Sequence, residues 1–373
     1  MWPDRRIQDL FGIELPIVQA PMAGPNLAEL AIGAARAGAL GSLPCATLSV
    51  DQALAQCRQV RQATAAPLNL NFFCHRPPAP DPARDAAWRE RLAGYYRDYA
   101  LDPAMPLAAS SRAPFDEAYC ALVEQVRPQV VSFHFGLPAP ALLERVRATG
   151  ARVIASATTV AEARWLEANG CDAIVAQGAE AGGHRGVFLY DDPLNEGARR
   201  DGVSTQVGLF ALLPQVADAV RVPVIAAGGI GDARGIVAAF ALGAAAVQLG
   251  TAYLFCPEAK LSPLHRQALR AARDDGTALT NLFTGRPARG IVNRLMRELG
   301  PVSPLAPEFP LAGGALAPLR AQAEAAGETH FMPLWSGQAA RLGRELPAYE
   351  LTRALAEESL ALLDRGLRRG AGR

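Results

Sequence analysis

No Cys-x-x-Cys pair occurs in this chain. Its six cysteines (Cys45, Cys57, Cys74, Cys120, Cys171 and Cys256) are scattered, with no histidine at metal-ligand spacing beside them. That argues against a disulfide scaffold and against a zinc or other metal site. The chain also lacks any run approaching the roughly 18 continuous apolar residues of a bilayer span. Its opening, Met-Trp-Pro-Asp-Arg-Arg, is polar and leads into no apolar stretch. Nor does one sign of charge dominate: the formal net charge is +1, which gives no field for DNA, RNA or an anionic membrane. The arginines of 84–97 and those near the C-terminus alternate with acids or alanines, as on a solvated helix face. These absences predict a reduced, cytoplasmic protein with no nucleic-acid or membrane partner. What remains is a chain of 373 residues, 50% hydrophobic and 20% charged, long enough to bury a large α/β core as one domain or two.

Eight short apolar runs follow one another: Ile17–Ala20, Leu40–Leu43, Leu68–Phe73, Val130–Phe135, Arg152–Ala157, Ala173–Gln177, Val222–Ala227 and Ala246–Gly250. Continuous apolar runs, as opposed to polar/apolar alternation, suit a parallel sheet covered by helices. Nearly all precede an alanine- and leucine-rich stretch of helical period, such as Leu27–Ala37, Ser49–Ala63, Pro140–Thr149, Thr159–Asn169, Leu209–Ala219 and Asp232–Leu242. Gly38, Gly150, Gly170 and Gly243 stand where helix C-caps are expected.

Eight strand-then-helix units predict a (β/α)8 TIM barrel. A doubly wound open sheet is expected to show Gly-x-Gly-x-x-Gly after its first strand; here Met22-Ala-Gly-Pro25 follows instead. Two long βα-loop insertions, Cys74–Phe115 and Gly186–Gln206, are expected on the catalytic face. The second carries Asp191-Asp192-Pro193 and Arg199-Arg200-Asp201. The barrel is expected to occupy residues 1–255. Residues 256–373 should form a mostly helical subdomain over the barrel mouth, with helices near Pro263–Asp274, Leu316–Ala326 and Leu346–Arg369.

Chemistry in such a barrel is read at the strand C-termini. The sixth strand runs into Gln177-Gly-Ala-Glu-Ala-Gly-Gly-His-Arg-Gly186. Its glycines, Gly182 and Gly183 among them, let backbone approach a flat ligand, and His184 brings the one side chain that titrates near neutrality. Gly228-Gly229, ahead of a helix starting near Asp232, and Gly250-Thr251 end the last two strands. Adjacent glycine loops there offer backbone N–H groups to a phosphate.

These same segments resemble the nitronate monooxygenase family of FMN-dependent barrels. The resemblance rests on Gln19-Ala-Pro-Met-Ala-Gly24, Asn71 with Phe72-Phe73, Ser132-Phe-His-Phe-Gly-Leu-Pro138, Gln177–Gly186 and Gln248-Leu-Gly-Thr251, in that order, and extends to Pro333-Leu-Trp-Ser-Gly-Gln338. His134 and Phe72-Phe73-Cys74-His75 resemble the class I branch, which oxidises propionate 3-nitronate. The resemblance implies that FMN is held by Asn71, Gln177, Gly182, Gly183, Gly228, Gly229 and Gln248-Leu249-Gly250-Thr251. The backbone of Ala20-Pro21-Met22 would lie against the isoalloxazine. His184 matches the family's catalytic histidine, and His134 would help to place the substrate. In one respect the chain departs from the pattern. Class I members carry tyrosines and a lysine around the segment matching Phe309–Ala317, and this chain has neither there, so its preferred nitronate is expected to differ or its reaction to be slower.

The implied reaction takes a small nitronate and O2 to a carbonyl compound and nitrite. A nitronate is already a carbanion equivalent, so protonated His184 would serve to hold the anion. A neutral nitroalkane would need His184 as general base. Glu180 either orients the imidazole or faces water. His75, His265 and His330 read as structural, and Cys45 and Cys74 as packing. The alternative is an NADH-dependent FMN reductase of the same barrel family, either an NADH:quinone or an enoyl-acyl-carrier-protein reductase. Either enzyme is expected as a monomer or homodimer.

Overall fold

The computed structural model describes residues 1–107, 112–189 and 203–366. Asp191-Asp192-Pro193, Arg199-Arg200-Asp201 and the end of the Leu346–Arg369 helix lie outside the described residues. The strands are β1 (Ile17–Gln19), β2 (Gly41–Pro44), β3 (Leu68–Phe73), β4 (Val130–His134), β5 (Arg152–Ala157), β6 (Ala173–Gln177), β7 (Gly183–His184), β8 (Val224–Ala227), β9 (Ala246–Leu249), β10 (Thr277–Thr280) and β11 (Ala288–Ile291). Eight of them form one parallel sheet in the order β1-β9-β8-β6-β5-β4-β3-β2, and a parallel bridge between Val18 and Leu40 closes it into a barrel. The expected (β/α)8 fold is thus present, with strand ends within two residues of those read from the chain. β8 starts two residues late because Pro223 has no N–H for the ladder, although its carbonyl still accepts from Ile174.

Side chains alternate between two cores. Val18, Leu40, Val130, Ile154, Val175 and Ile225 fill the barrel interior, where Ile7 and Phe11 of the first helix (Arg6–Phe11) join them. Ile17, Leu43, Leu70, Val131, Val153 and Ile174 point outward to the helices. Those helices start at the residues that cap them. Ser49 and Gln52 make a reciprocal capping box, and Thr159 and Asp232 accept from the first-turn N–H groups of their helices. Gly38, Gly150, Gly170 and Gly243 all take positive φ angles just past helix ends, as a left-handed C-cap requires.

Residues 256–366 form the expected mostly helical region, to which a short sheet is added. Helices Pro263–Arg270, Arg294–Leu299 and Ala317–Ala325 are joined by an antiparallel pair, β10 and β11. β11 also pairs with β7, placing Ala288 opposite His184 and Arg289 opposite Gly183. The final helix, Ala348–Arg365, does not cover the mouth. It packs against helices Ala28–Arg36 and Ala233–Ala241 on the barrel wall, in the place of an eighth barrel helix, and buries Leu351 and Leu355 in the outer core. The first insertion supplies helix Pro82–Asp98. Its Trp88, Leu92 and Tyr96 form a second core with Leu295, Leu316 and Phe331. Among the described residues, no helix is long and apolar enough to cross a membrane.

Candidate active site

One cavity opens at the C-terminal ends of the barrel strands. Ala20, Pro21 and Met22 line it from the end of β1, Asn71 from β3, His134 from β4 and Gln177 from β6. Gly182, Gly183 and His184 line it from the glycine loop, Gly228 and Gly229 from the end of β8, and Gln248, Gly250 and Thr251 from β9 and its loop. Leu249 is the exception. It sits between inward neighbours on a strand and turns its side chain into the outer core.

His184 is fixed through its backbone more than through its ring. Its strand pairing with Ala288 is continued by Arg185 N–H, which donates to Pro287 O at 2.8 Å. The His184 carbonyl accepts from Gln177 Nε2 at 2.9 Å and from His134 Nε2 at 3.2 Å. Gln177 Oε1 in turn accepts from Gly186 N at 2.8 Å, so the Gln177 amide is committed to shaping the loop. Because His134 Nε2 faces a carbonyl it carries the proton, and Nδ1 accepts from the Ser156 hydroxyl at 3.0 Å. Arg185 is fully buried and donates to Gln177 O, Gly178 O and Gln206 Oε1. Gly182 is required by close approach: a Cβ there would stand 2.5 Å from Gly337 N. Glu180 does not orient His184: it is half-buried, and both its oxygens accept from Leu209 N at 2.9 Å at the start of helix Leu209–Ala219.

Aromatic rings wall the His184 imidazole: Phe309 and Trp335 at centroid distances of 5.3 and 5.5 Å, Phe135 and Phe73 at 6.0 and 6.3 Å. Its Nε2 lies 3.0 Å from Thr284 Oγ1. The Thr284 hydroxyl donates to Arg286 O at 3.3 Å, which leaves its oxygen to accept from His184 Nε2–H and the basic lone pair on Nδ1. Burial, and after it the charges of Arg112, His134, Arg286 and His75, hold the His184 pKa well below its ordinary value. His134 is pushed down to about 3, first by burial and then by Arg286. Both imidazoles are therefore neutral at neutral pH. This corrects the expectation of a protonated His184, because the apolar wall disfavours the cation and two guanidiniums repel it.

The buried histidines also set the acid stability of the protein. Besides His134, His75 and His265 are each pushed down to about 4, in both cases first by burial. In the unfolded chain all three protonate near 6.5. Between roughly pH 6.5 and 4 the unfolded state binds protons that the folded state refuses. Stability is complete above that window and falls as pH drops through it, by up to ~1.4 kcal/mol per pH unit for each histidine. Melting curves at about pH 7, 6 and 5 should show a progressive drop in Tm, and a Tm flat across this range would show that these imidazoles accept protons in the folded state.

On the opposite side of the cavity, Gly228 and Gly229 have φ angles of +114° and +69°. Among the described residues, the N–H groups of Gly228, Gly229 and Gly250 donate to no backbone carbonyl, so they are available to an anion in the cavity. The nearby helix Ala233–Ala241 contributes less than its position suggested, because Asp232 takes the N–H groups of Arg234 and Gly235. Thr251 Oγ1 accepts from Gly337 N at 2.8 Å, tying Ser336-Gly337 over the mouth.

Sequence reasoning gave no role to Arg112, Thr284, Phe309 or Trp335, all of which face His184 or line the cavity. Trp335 lay in a segment quoted for the resemblance, and Phe309 in the one quoted as a departure from it. Arg112 and Thr284 carried no motif. Cys45 is buried and Cys74 half-buried, and both thiols are pushed well up, first by burial, which fits packing and not nucleophilic chemistry. Among the described residues no cluster of three or more His, Cys, Asp or Glu could hold a metal ion.

A family model described as nitronate monooxygenase matches residues 4–358. A nitronate monooxygenase of Pseudomonas aeruginosa is 42% identical over 355 residues, spanning 95% of this chain and 98% of its own length. Another, from Paraburkholderia phytofirmans, is 43% identical over 357 residues, with 95% and 94% covered. The solved structure of a nitroalkane oxidase from Streptomyces ansochromogenes has a TM-score of 0.84 at 38% identity, and the match covers 97% of this chain and 100% of that one. Matches of this length and identity, on a closed barrel that carries its histidine at the strand ends, show that the chain belongs to the nitronate monooxygenase family.

Proposed function

We propose that this protein is an FMN-dependent monooxygenase that oxidises alkyl nitronates, propionate 3-nitronate among them, with dioxygen to a carbonyl compound and nitrite. The observation that carries this reading is the neutral, aromatic-walled His184 facing a cavity whose other side is glycine backbone with unused N–H groups. One phosphate fits that second side, at Gly228, Gly229 and the Gly250-Thr251 turn. Asn71 can address the polar edge of a flat ring, since its Nδ2 bonds Ser132 and its carbonyl remains an acceptor. Ala20-Pro21-Met22 offers a flat backbone surface. Bound FMN would supply the electron acceptor for the nitronate carbon. The protein's own part is to hold the anion, exclude water with Phe73, Phe135, Phe309 and Trp335, and offer His184 Nδ1 as a base to any neutral nitroalkane.

The expected cofactor is FMN and not FAD, because the described residues offer a phosphate one cradle, the N–H groups of Gly228, Gly229 and Gly250. Mass spectrometry of heat-released cofactor checks this; release of FAD, or a colourless protein that cannot be reconstituted with FMN, would remove the assignment. Anaerobic mixing with propionate 3-nitronate should bleach the flavin absorbance. Bleaching by NADH alone would move the reading to the nicotinamide-dependent reductase.

A further inference from the structure

The neutral histidines leave an anionic substrate without the expected cation, and the cavity holds one elsewhere. Histidines aside, the charged side chains lining it among the described residues are Arg112 and Glu180. Glu180 is spent on Leu209 N–H. The other guanidiniums nearby do not line the cavity. Arg185 donates to main-chain carbonyls, and Arg289 donates to Ala179 O at 2.7 Å and to Thr277. Arg286 stacks 3.8 Å from the Phe135 ring centroid and donates to Val187 O. It lines a separate outer groove beyond the aromatic wall. We propose that Arg112 pairs with the negative charge of the substrate and makes this site selective for anionic nitronates over neutral nitroalkanes. The proposal rests on the function given above and adds the residue that sets charge preference.

Two physical points support it. A guanidinium keeps its charge at any working pH and presents a planar fork to a planar pair of oxygens, which matches the two nitro oxygens of a nitronate. The aromatic rings around His184 supply the low-dielectric surroundings in which such a pair is strong and an unpaired anion costly. Among the described residues, the charged and titratable groups around His184 are Arg112, His134, Arg286 and His75, and of these only Arg112 is both cationic and cavity-lining.

The test uses the holoenzyme and two probes: propionate 3-nitronate for turnover, and nitrate, a planar, singly charged and unreactive mimic, for binding by calorimetry. R112Q should raise the KM for the nitronate and weaken nitrate binding, each on the order of 10²-fold. A neutral nitroalkane should lose only a few-fold, and R112K should recover part of the nitrate affinity. In the wild type, nitrate affinity should stay flat from about pH 6 to 9, because arginine does not titrate there; this measurement stands even where R112Q loses its flavin. Affinity falling about tenfold per pH unit would assign the anion to protonated His184 and overturn the proposal, as would equal losses for charged and neutral substrates or unchanged nitrate binding in R112Q. Arg112-dependent nitrate binding in a protein that turns over no nitronate would uphold this inference while removing the function on which it was framed.

Discussion

His184→Asn is expected to lower turnover of neutral nitroalkanes by about 10²–10⁴-fold, the usual contribution of a general base, with flavin content unchanged. The asparagine amide reaches only the position of the imidazole Nδ1 and gives up the Nε2 bond to Thr284 Oγ1, but the loop is held through the residue 184 carbonyl by Gln177 and His134. The substitution therefore removes the base and leaves the scaffold. What is lost is the Nδ1 lone pair that the Thr284 contact leaves available. Preformed nitronates need no proton removed, and the neutral imidazole contributes little charge to hold them, so their rates should fall much less. Steady-state rates with both substrate forms, at a pH where each persists during the assay, measure the difference. Equal losses would make His184 a positioning residue, and no loss for either form would move the base elsewhere, with His134 next. The low pKa of His184 limits its strength as a base, which agrees with a site better suited to anions than to neutral nitroalkanes.

What could be read from the chain was whatever depends on local pattern. Continuous apolar runs located the barrel strands, capping residues such as Ser49 and Asp232 located helix starts, and a closed parallel barrel then gathers the strand ends at one mouth whatever the loops do. What could not be read depends on partners distant in sequence. Gly183–His184 is a strand only because β11, about a hundred residues on, pairs with it. Thr284 is likewise invisible as a partner of His184 until that pairing is made. Arg112 comes from a Pro- and Arg-rich insertion in which one arginine looks like another. The state of His184 was misread for the same reason: its cause is the ring wall of Phe309 and Trp335 together with Arg112, none of them near it in sequence. The last helix misled because its apolar face fits any surface, and only the gap between helices Ala28–Arg36 and Ala233–Ala241 decides where it goes.

Gly229→Val should abolish retention of FMN while leaving a soluble barrel. At φ +69° a β-branched residue is strained by about 1–3 kcal/mol. Its Cβ would meet Glu180 Cβ at 3.3 Å and Cγ at 3.4 Å. Relief of both comes from rotating the Gly228-Gly229 peptides or from pushing Glu180 away from Leu209 N. The first turns the N–H groups out of the cavity. The second loosens the cap on helix Leu209–Ala219, at a cost of about 1 kcal/mol. Either change reaches the phosphate side before it reaches the barrel core, since residues 228–229 lie beyond the last paired residue of β8. The flavin-to-protein absorbance ratio after desalting reads the loss, and far-ultraviolet circular dichroism reads the fold. Gly229→Ala carries the same φ strain without the branched methyls, so partial retention there, rising with added FMN, would separate strain from filled volume. A Val variant that keeps its full complement of flavin would show that the phosphate is held elsewhere, and the Gly250-Thr251 turn would become the next position to alter.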